Sequence, residues 1–382
     1  MIQKNKHIYF DNNATTPIDP RIQAVLIDML SQTPLNPSSS HFFGQRAHKY
    51  LLEAKKTIAT FLDVYPDEII FTSGGTESMN LLIYGSAALL PRGHIITSAI
   101  EHPCVLNPMK QLEKQGWEIS YLAPDLSGMI TLSSIERALK ETTRLIVLSA
   151  ANGETGVELD LNNVAQLAQQ AHIPLIVDGI ALLGKRRFKV PSGVAGMGFS
   201  GHKIHAPLGI GFVFIRNKDA ISPQLLGGHQ EHHLRAGTEN LPGIVALSHA
   251  ISILDQEIDV ASKHMLNLRN DFENGLQKAL PGILINGAAP RLPNTSNIAF
   301  EGVDGESLLI ALDQDGIAAS HASACSTGAL EPSYVLMNMG FSKKRASASI
   351  RFSFSRMNSQ EEIAQAIPII QKWACALRQL HL

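Results

Sequence analysis

The sequence predicts an α/β protein with a large domain built on a mostly parallel β-sheet and a smaller α+β domain. Short apolar runs alternate with helix-period stretches up to about residue 215, which is typical of strand–helix–strand units. Beyond about residue 255 this alternation stops, and the chain of 382 residues is long enough for two domains. We therefore expect a large domain over 15–255 and a small domain formed by 1–14 and 256–382.

The large domain begins with a helix whose start is marked by Asp19 as the cap and Pro20 in the first turn. Apolar residues at helical spacing, from Ile22 to Met29, give that helix one buried face. Six short apolar runs then predict the strands of a sheet covered on both faces. These runs are 68–73, 94–98, 117–122, 144–150, 174–179 and 210–215.

The small domain follows a long helical stretch from Leu241 to about Leu280, and we place the domain boundary inside this stretch, near residue 255. The order of the remaining elements indicates an α+β arrangement. They are extended segments at 297–300, 316–320 and 349–355, a helix near 306–313 and a last helix that ends at Leu380.

The composition excludes several classes of protein. Hydrophobic residues make up 45% and charged residues 17%, which is ordinary globular composition, and a formal charge of −2 offers no basic face for nucleic acid. Three cysteines are too few and too scattered for a disulfide scaffold or a thiolate zinc site, so we expect a reducing compartment. Neither a signal peptide nor a membrane-spanning stretch is visible, and we expect a cytoplasmic protein without membrane contact.

Ligands of a doubly wound sheet bind beyond the carboxyl ends of its strands, so the residues after each run are candidates for function. After the first run, glycines up to Gly75 expose backbone N–H groups and Thr76 opens a helix, a pattern that favours a phosphate cradle. A capped turn without a ligand is the alternative. His202 and His205 form one histidine cluster and 229–233 another, but the latter lies in a glycine-containing loop, so we predict no metal site.

Two charged residues stand in unusually apolar surroundings. Asp178 ends an almost wholly apolar strand, where an ionised carboxylate is costly unless a cation or strong donors meet it. A cationic ring N–H would serve, and a helix cap or an ion pair is the alternative. Lys203 lies among small and aromatic residues before another apolar strand, which favours a desolvated amine suited to Schiff-base chemistry over a solvated surface lysine.

Cysteine and arginine supply two further candidates. Cys325 lies among small polar residues and is predicted to be an exposed nucleophile, whereas Cys375 and Cys104 are predicted to pack inside the protein. Arg351, flanked by apolar residues in a strand-like segment, could clamp a substrate carboxylate or form a structural ion pair.

Together these stretches resemble the cysteine desulfurases of the NifS and IscS type, pyridoxal-phosphate enzymes of the class V aminotransferase family. The resemblance covers nearly the whole chain and implies the fold-type I architecture of pyridoxal-phosphate-dependent transferases. It rests on DNNATTP at 11–17, NPSS at 36–39, FTSGGTES at 71–78, EHP at 101–103, SGHKIHAP at 200–207, RAGTEN at 235–240, LPNTSNIAF at 292–300 and SACSTGALEPSYVL at 323–336.

The resemblance implies a role for each residue that matches the family's motifs. Lys203 would hold pyridoxal 5'-phosphate covalently, Asp178 would keep its ring nitrogen protonated, and His102 would stack on the ring and assist proton transfer. Family members are homodimers, and one phosphate-binding residue would come from the partner subunit. The implied phosphate-binding residues are Gly75, Thr76, Ser200 and His202, with Thr238 from the partner subunit.

The resemblance also implies the substrate and the product. Arg351 would bind the carboxylate of L-cysteine, with Asn13 and Asn152 as further substrate-binding residues. Cys325 would attack the substrate sulfur, giving L-alanine and an enzyme persulfide. The sulfur would then pass to an acceptor protein such as an iron–sulfur scaffold.

Four positions depart from the family's pattern. Gly153 stands where relatives carry an asparagine, and Ala181 where they carry a glutamine that donates to the phenolic oxygen of the cofactor. His321 and Ala322 replace a usual Ser-Gly pair before the cysteine motif. These departures leave two alternatives open, namely a selenocysteine lyase or other pyridoxal-phosphate lyase, and a catalytically degenerate scaffold or regulatory protein.

Overall fold

The computed structural model describes residues 7–32, 34–321 and 332–380. Its main sheet has seven strands in the order β2-β8-β7-β6-β5-β3-β4, and every neighbouring pair is parallel except the two pairs that contain β8. The predicted mostly parallel sheet is therefore confirmed. Its strands are β2 Ile69–Thr72, β3 His94–Ser98, β4 Glu118–Leu122, β5 Thr143–Ser149, β6 Leu175–Asp178, β7 Val194–Ser200 and β8 Gly211–Ile215.

Both faces of this sheet are buried. Along β5, Leu145 and Val147 belong to one apolar cluster, whereas Ile146 and Leu148 belong to the cluster on the other face. This double burial explains why the strands are continuous apolar runs instead of alternating patterns. The helices of this part of the chain are α1 Pro20–Ser31, α2 Phe42–Leu62, α3 Gly75–Leu89, α4 Pro103–Lys114, α5 Leu132–Ala138 and α6 Leu161–Gln170.

Strand β7 is the one strand of this sheet that the sequence analysis missed. Two glycines, Gly196 and Gly198, interrupt its apolar pattern and weaken the strand signal. The structure explains both, because a Cβ atom at Gly196 would lie 2.6 Å from Leu82 and one at Gly198 would lie 2.8 Å from Met79. Helix α3 therefore packs directly on the backbone of β7.

A second core lies around an antiparallel sheet in the order β12-β10-β9, with the parallel pair β1 and β11 beside it. Its centre is aromatic, and Phe10 meets Phe354 edge to face with ring centroids 5.0 Å apart. The strands are β1 Ile8–Tyr9, β9 Ile283–Asn286, β10 Thr295–Phe300, β11 Ile317–Ala318 and β12 Ser349–Ser353. Helices α8 Gly305–Gln314 and α11 Gln360–Leu380 pack in this core, whereas the buried apolar residues of α9 Tyr334–Asn338 and α10 Lys343–Ser347 belong to the core of the large sheet.

One helix, α7 Leu241–Ala279, contributes side chains to both cores. Its residues from Leu241 to Ile258 pack in the core of the large sheet, whereas Leu268 and Phe272 pack in the second core. The domain boundary near residue 255 stays a prediction. Within the described part of the chain, no helix combines the length and the apolar character that a membrane crossing requires.

Candidate active site

A cavity of about 260 Å³ lies at the carboxyl ends of β5, β6 and β7, where the fold class predicts the ligand site. Residues of the small sheet also reach it. The structure brings together at this cavity most of the residues predicted from the sequence, namely Asn13, Gly75, Thr76, His102, Asn152, Asp178, Ser200, His202, Lys203 and Arg351.

Cys325 lies outside the described residues. Among the described residues, Thr238 is the one predicted site residue that does not line the cavity. Thr238 is exposed on the loop before α7. That loop is tied to the site all the same, because Arg235 pairs with Glu77 in the first turn of α3 at 2.9 Å. The predicted contribution of Thr238 to a partner subunit's site stays a prediction.

Lys203 follows β7 and is held by the N-terminal segment of the chain. Its Nζ atom donates hydrogen bonds to the carbonyl oxygens of Asn13 and Ala14, the latter at 2.8 Å. Thr16 braces the same turn, since its N–H and its hydroxyl donate to the carbonyl of His202 at 2.9 and 2.8 Å. The segment 11–17 and the lysine segment therefore form one structural unit.

Asp178 ends β6 as a buried carboxylate. One of its oxygens accepts the N–H of Ile180 at 2.9 Å, and the other accepts the thiol of Cys104 at 3.8 Å. Burial raises the pKa of Asp178 to about 6, with the charge of Lys203 acting in the opposite direction. Its charged form is thus short of strong donors, and a cationic N–H from a bound ring would supply one.

His102 caps α4 and faces the same cavity. Its Nδ1 atom accepts the N–H of Cys104 at 3.2 Å, which leaves the proton of the neutral ring on Nε2. Burial, reinforced by the charge of Lys203, lowers the pKa of His102 to about 4. The ring is therefore neutral at neutral pH.

The N-terminus of α3 forms one end of the cavity. Its N-cap, Gly74, provides no side-chain cap, so the first amides of this helix are available to a ligand. A Cβ atom at Gly75 would lie 2.2 Å from Ile180, which explains the glycine at this close approach. Together with the hydroxyls of Thr76 and Ser200, these donors fit a phosphate ester.

Arg351, on β12, forms the structural ion pair that was one of its two predicted alternatives, and its role toward a substrate carboxylate stays a prediction. Its Nη2 atom pairs with Asp11 at 2.7 Å, and its Nη1 atom donates to the carbonyl of Gly153 at 3.3 Å. Its Nε atom is buried and has no hydrogen-bond partner among the described residues. The guanidinium is thus anchored through Nη1 and Nη2, and its Nε atom is the nitrogen without a partner among the described residues.

The two asparagines predicted to bind substrate hold the backbone around the cavity. The amide of Asn13 donates to the carbonyl of Gly153 at 2.9 Å. Asn152 accepts the N–H groups of Glu154 and Thr155, each at 3.0 Å, and so shapes the turn after β5. Their role toward a substrate stays a prediction.

The positions that depart from the family's pattern face each other across this turn. A Cβ atom built on Gly153 would have only the Cβ of Ala181 nearby, at 4.0 Å, among the described residues. Both positions line the cavity. The departures therefore leave open space on one edge of the site. His321 is anchored elsewhere, through Nε2 to the carbonyl of Ser347 at 3.0 Å.

Three buried ionisable residues near the cavity were not predicted as site residues. Lys185 lines the cavity and donates to the carbonyl of Lys203 at 3.3 Å, and burial lowers its pKa to about 8. Glu101 accepts the hydroxyls of Ser98, at 2.6 Å, and Ser149, and burial raises its pKa to about 7. Glu101 lies behind the cavity wall, because its partner Ser149 lines the cavity, and the charge of Asp178 adds to the rise in its pKa.

The third such residue is Glu154, which lines the cavity directly. Its Oε1 atom accepts the hydroxyl of Ser333, whereas its Oε2 atom is buried without a hydrogen-bond partner among the described residues. Glu101 stands directly before His102 in the EHP motif, and Glu154 follows Asn152 and Gly153, so an acid close to each predicted residue was the available signal.

A metal centre has no support in the described residues. No group of three or more histidine, cysteine, aspartate or glutamate side chains is placed there to hold an ion. In the loop cluster, His229 and His233 instead share a hydrogen bond between their Nδ1 atoms at 2.9 Å.

Comparison with known proteins gives a consistent result. The family model described as "Aminotransferase class-V" matches residues 8–365. A cysteine desulfurase of Trichormus azollae is 39% identical over 376 residues, covering 98% of this chain and 94% of that protein. The cysteine desulfurase IscS of Klebsiella pneumoniae subsp. pneumoniae is 39% identical over 382 residues, with the same coverage.

A solved structure described as a NifS-like protein superposes with a TM-score of 0.89 at 34% identity, covering 96% of this chain and 98% of that chain. The predicted fold-type I architecture and the predicted resemblance are therefore confirmed. Members of this family depend on pyridoxal phosphate, which agrees with the donor set of the cavity. The chain belongs to the class-V aminotransferases, and within them to the cysteine desulfurases of the NifS and IscS type.

Proposed function

We propose that this protein is a pyridoxal-phosphate-dependent cysteine desulfurase that converts L-cysteine to L-alanine and carries the sulfur as a persulfide on Cys325. The observation that carries the proposal is the convergence of Lys203, Asp178, His102 and Arg351 on one cavity. The full-length similarity to cysteine desulfurases supports the same assignment.

The cofactor, when bound, supplies an electron sink for the α-carbon of the amino acid. Lys203 attaches it, and Asp178 pairs with its ring nitrogen. The amides at the start of α3, with Gly75, Thr76, Ser200 and His202, hold its phosphate, and Thr238 of a second copy completes this set in a homodimer. Asn13 and Asn152 position the backbone that surrounds the substrate.

In the sulfur-transfer step, the Cys325 thiolate forms a bond to the substrate sulfur while the bond between that sulfur and carbon breaks. The electron pair of the broken bond stays with carbon, which is protonated to give L-alanine. Neutral His102 donates the proton that it carries on Nε2, and Arg351 binds the carboxylate of the substrate. The persulfide then passes its outer sulfur to a cytoplasmic acceptor protein, for which an iron–sulfur scaffold is our candidate.

The test is the release of alanine from L-cysteine by cofactor-loaded protein in the presence of a thiol reductant. We expect Lys203→Ala to lose at least about 1,000-fold in rate and to lose bound cofactor on desalting, because a covalent catalytic residue is removed. Cys325→Ala should keep bound cofactor and lose persulfide formation. Equal rates for Cys325→Ala and the parent would refute the role of Cys325.

One observation favours a second candidate. The open edge at Gly153 and Ala181 offers no side-chain donor, which suits a lyase with another substrate, such as selenocysteine, or a degenerate protein that acts through its contacts. Comparing turnover of L-cysteine and L-selenocysteine separates the first of these from the desulfurase. Protein that takes up no cofactor at all would favour the degenerate alternative.

A further inference from the structure

The loop 227–240 is fastened to the edge of the large sheet. Strand β2 forms that edge, and the buried carboxylate of Glu231 lies against it. One oxygen of Glu231 accepts the backbone N–H of Phe71, in β2, at 2.8 Å and the amine of Lys55 at 2.9 Å. The loop is therefore joined to the strand that leads into the turn 73–76 at the end of the cavity.

Further along the chain, the same loop reaches this turn through one carboxylate. Glu77 lies in the first turn of α3, and its Oε1 atom pairs with Nε of Arg235 at 2.9 Å. Its Oε2 atom accepts the backbone N–H of Ser73 at 2.8 Å. Glu77 and Arg235 are not among the described residues that line the cavity, whereas Gly75 and Thr76 of the turn are. The pair would therefore act on a ligand through the turn.

The charge of Glu77 gives Arg235 a specific task. Burial alone would raise the pKa of Glu77, but the hydrogen bonds from Arg235 and Ser73 lower it below its ordinary value, so the carboxylate is ionised at neutral pH. An anion bound to the first amides of α3 would meet the repulsion of this carboxylate. The two side chains are only 23% and 20% exposed, so water screens their charges only in part. Pairing with Arg235 offsets the repulsion.

We propose that Glu77 and Arg235 are positioning residues for the phosphate of the cofactor. Glu77 fixes the turn 73–76, whose amides would hold the phosphate, and Arg235 neutralises the charge of Glu77. In this role neither residue needs to contact the phosphate. The inference rests on the proposed function only in taking a phosphate-bearing aldehyde as the ligand of the cavity.

The experiment compares pyridoxal 5'-phosphate with pyridoxal, which has the same ring and aldehyde but no phosphate. Each is titrated into cofactor-free protein, and the visible absorbance of the bound aldehyde gives its Kd. Arg235→Met removes the positive charge. Glu77→Gln removes the negative charge and keeps an acceptor for Ser73, whereas Glu77→Ala removes that acceptor as well. Arg187→Met is the matched control, because Arg187 forms its ion pair with Asp255, at 2.7 Å, on the surface.

We expect Arg235→Met to weaken pyridoxal 5'-phosphate about tenfold or more and pyridoxal by less than about twofold, because the loss acts through the phosphate. Adding Glu77→Gln to Arg235→Met should recover part of the lost affinity, since no unpaired carboxylate then remains beside the phosphate. Glu77→Ala should also weaken pyridoxal 5'-phosphate more than pyridoxal, because the turn loses its brace. Arg187→Met should leave both Kd values unchanged.

Other results would overturn the inference. Equal weakening of the two ligands by Arg235→Met would assign Arg235 a purely structural role. A double variant that binds pyridoxal 5'-phosphate no better than Arg235→Met would show that the charge of Glu77 is not what Arg235 offsets. Thermal unfolding of each cofactor-free variant reports whether it is folded. If Arg235→Met does not fold, Glu77→Ala decides, and an unchanged ratio of the two Kd values would contradict the positioning role.

Failure of the proposed function gives a different pattern. Protein that shows these effects on phosphate binding and releases no alanine from L-cysteine would lose the proposed function and keep the positioning role. Protein that releases alanine and binds both ligands equally well with and without Arg235 would lose the positioning role alone.

Discussion

The two sides of the cavity differ in the size and polarity of the side chains that line them. On the charged side, formed by Asp178, Lys203 and His102, each polar group is held by hydrogen bonds. On the bare edge, formed by Gly153 and Ala181, neither side chain extends beyond a Cβ atom, and a Cβ atom built on Gly153 would lie 4.0 Å from that of Ala181.

We infer from this difference that the charged side is required for catalysis, whereas the bare edge only adjusts the rate. The charged side fixes pKa values, and these depend on burial and on partners placed within a few ångströms. The bare edge leaves volume that water or the ligand's own atoms can fill. Changes on the charged side should therefore have large effects, changes behind it intermediate effects, and changes on the bare edge small ones.

The largest effect is expected for Asp178→Asn. Asparagine keeps the size of the side chain and can still accept the N–H of Ile180, but it cannot stabilise a cationic ring nitrogen. We expect kcat for alanine release to fall about 100- to 1,000-fold, in the range found when one preorganised electrostatic partner is removed. Visible absorbance after desalting checks that the cofactor is still bound, and a loss below about tenfold would contradict the comparison.

An intermediate effect is expected for Glu101→Gln, which changes the residue behind the charged side. The pKa of Glu101 rises from 4.5 in the unfolded chain to about 7 in the folded protein, so the folded protein keeps a proton that the unfolded chain loses between these values. The stability of the parent should therefore fall as the pH rises through this window, and that of the variant should not.

Urea unfolding of the cofactor-free protein measures this difference. At pH 4 the parent and Glu101→Gln should be equally stable, and above pH 7 the variant should be more stable by up to about 3 kcal/mol. Glu113→Gln is the control, because Glu113 is exposed on α4 and its hydrogen bond from Tyr121 lies at the surface. A constant difference at all pH values would indicate that only the contacts with Ser98 and Ser149 matter.

The smallest effect is expected on the bare edge. A double variant, Gly153→Asn with Ala181→Gln, should fold, because both positions line the cavity and a Cβ atom at Gly153 would meet only the Cβ of Ala181 among the described residues. We expect kcat to rise several-fold and the pH titration of the cofactor's visible absorbance to shift to lower pH, because a hydrogen bond stabilises the ionised phenolic oxygen. The single variants should not be additive, since the two positions are neighbours.

No gain in kcat and no spectral shift in this double variant would mean that the bare edge is neutral or compensated. A gain of 100-fold or more would remove the distinction between the two sides, because it would make the missing donors as important as Asp178.

Much of the fold and of the site was predictable because local patterns dominate there. The apolar runs of the large sheet are buried on both faces, so their strands could be assigned from composition alone. Asp178 and Lys203 could be identified because burying a single charged residue in an apolar segment is costly unless a partner or a ligand meets it. The long helix 241–279 and the last helix followed from helical periodicity in the same way.

The rest depends on contacts between distant segments. Strand β7 was missed because its glycines make room for α3, which is a property of packing and not of β-propensity. The pairing of Arg351 with Asp11 joins residues 340 positions apart. In the sequence, Glu154 looks like an ordinary polar residue of a turn. Its burial becomes evident only in the structure, where the hydroxyl of Ser333 from a distant segment donates to it.

Helix α7 has a mechanical consequence for this site. At 39 residues it is a rod about 58 Å long, and its opposite ends are embedded in different cores. Lys203 is attached to one of these cores and Arg351 to the other. Because the rod is continuous, melting of either core releases part of the same helix, so the cavity should vanish in a single cooperative event.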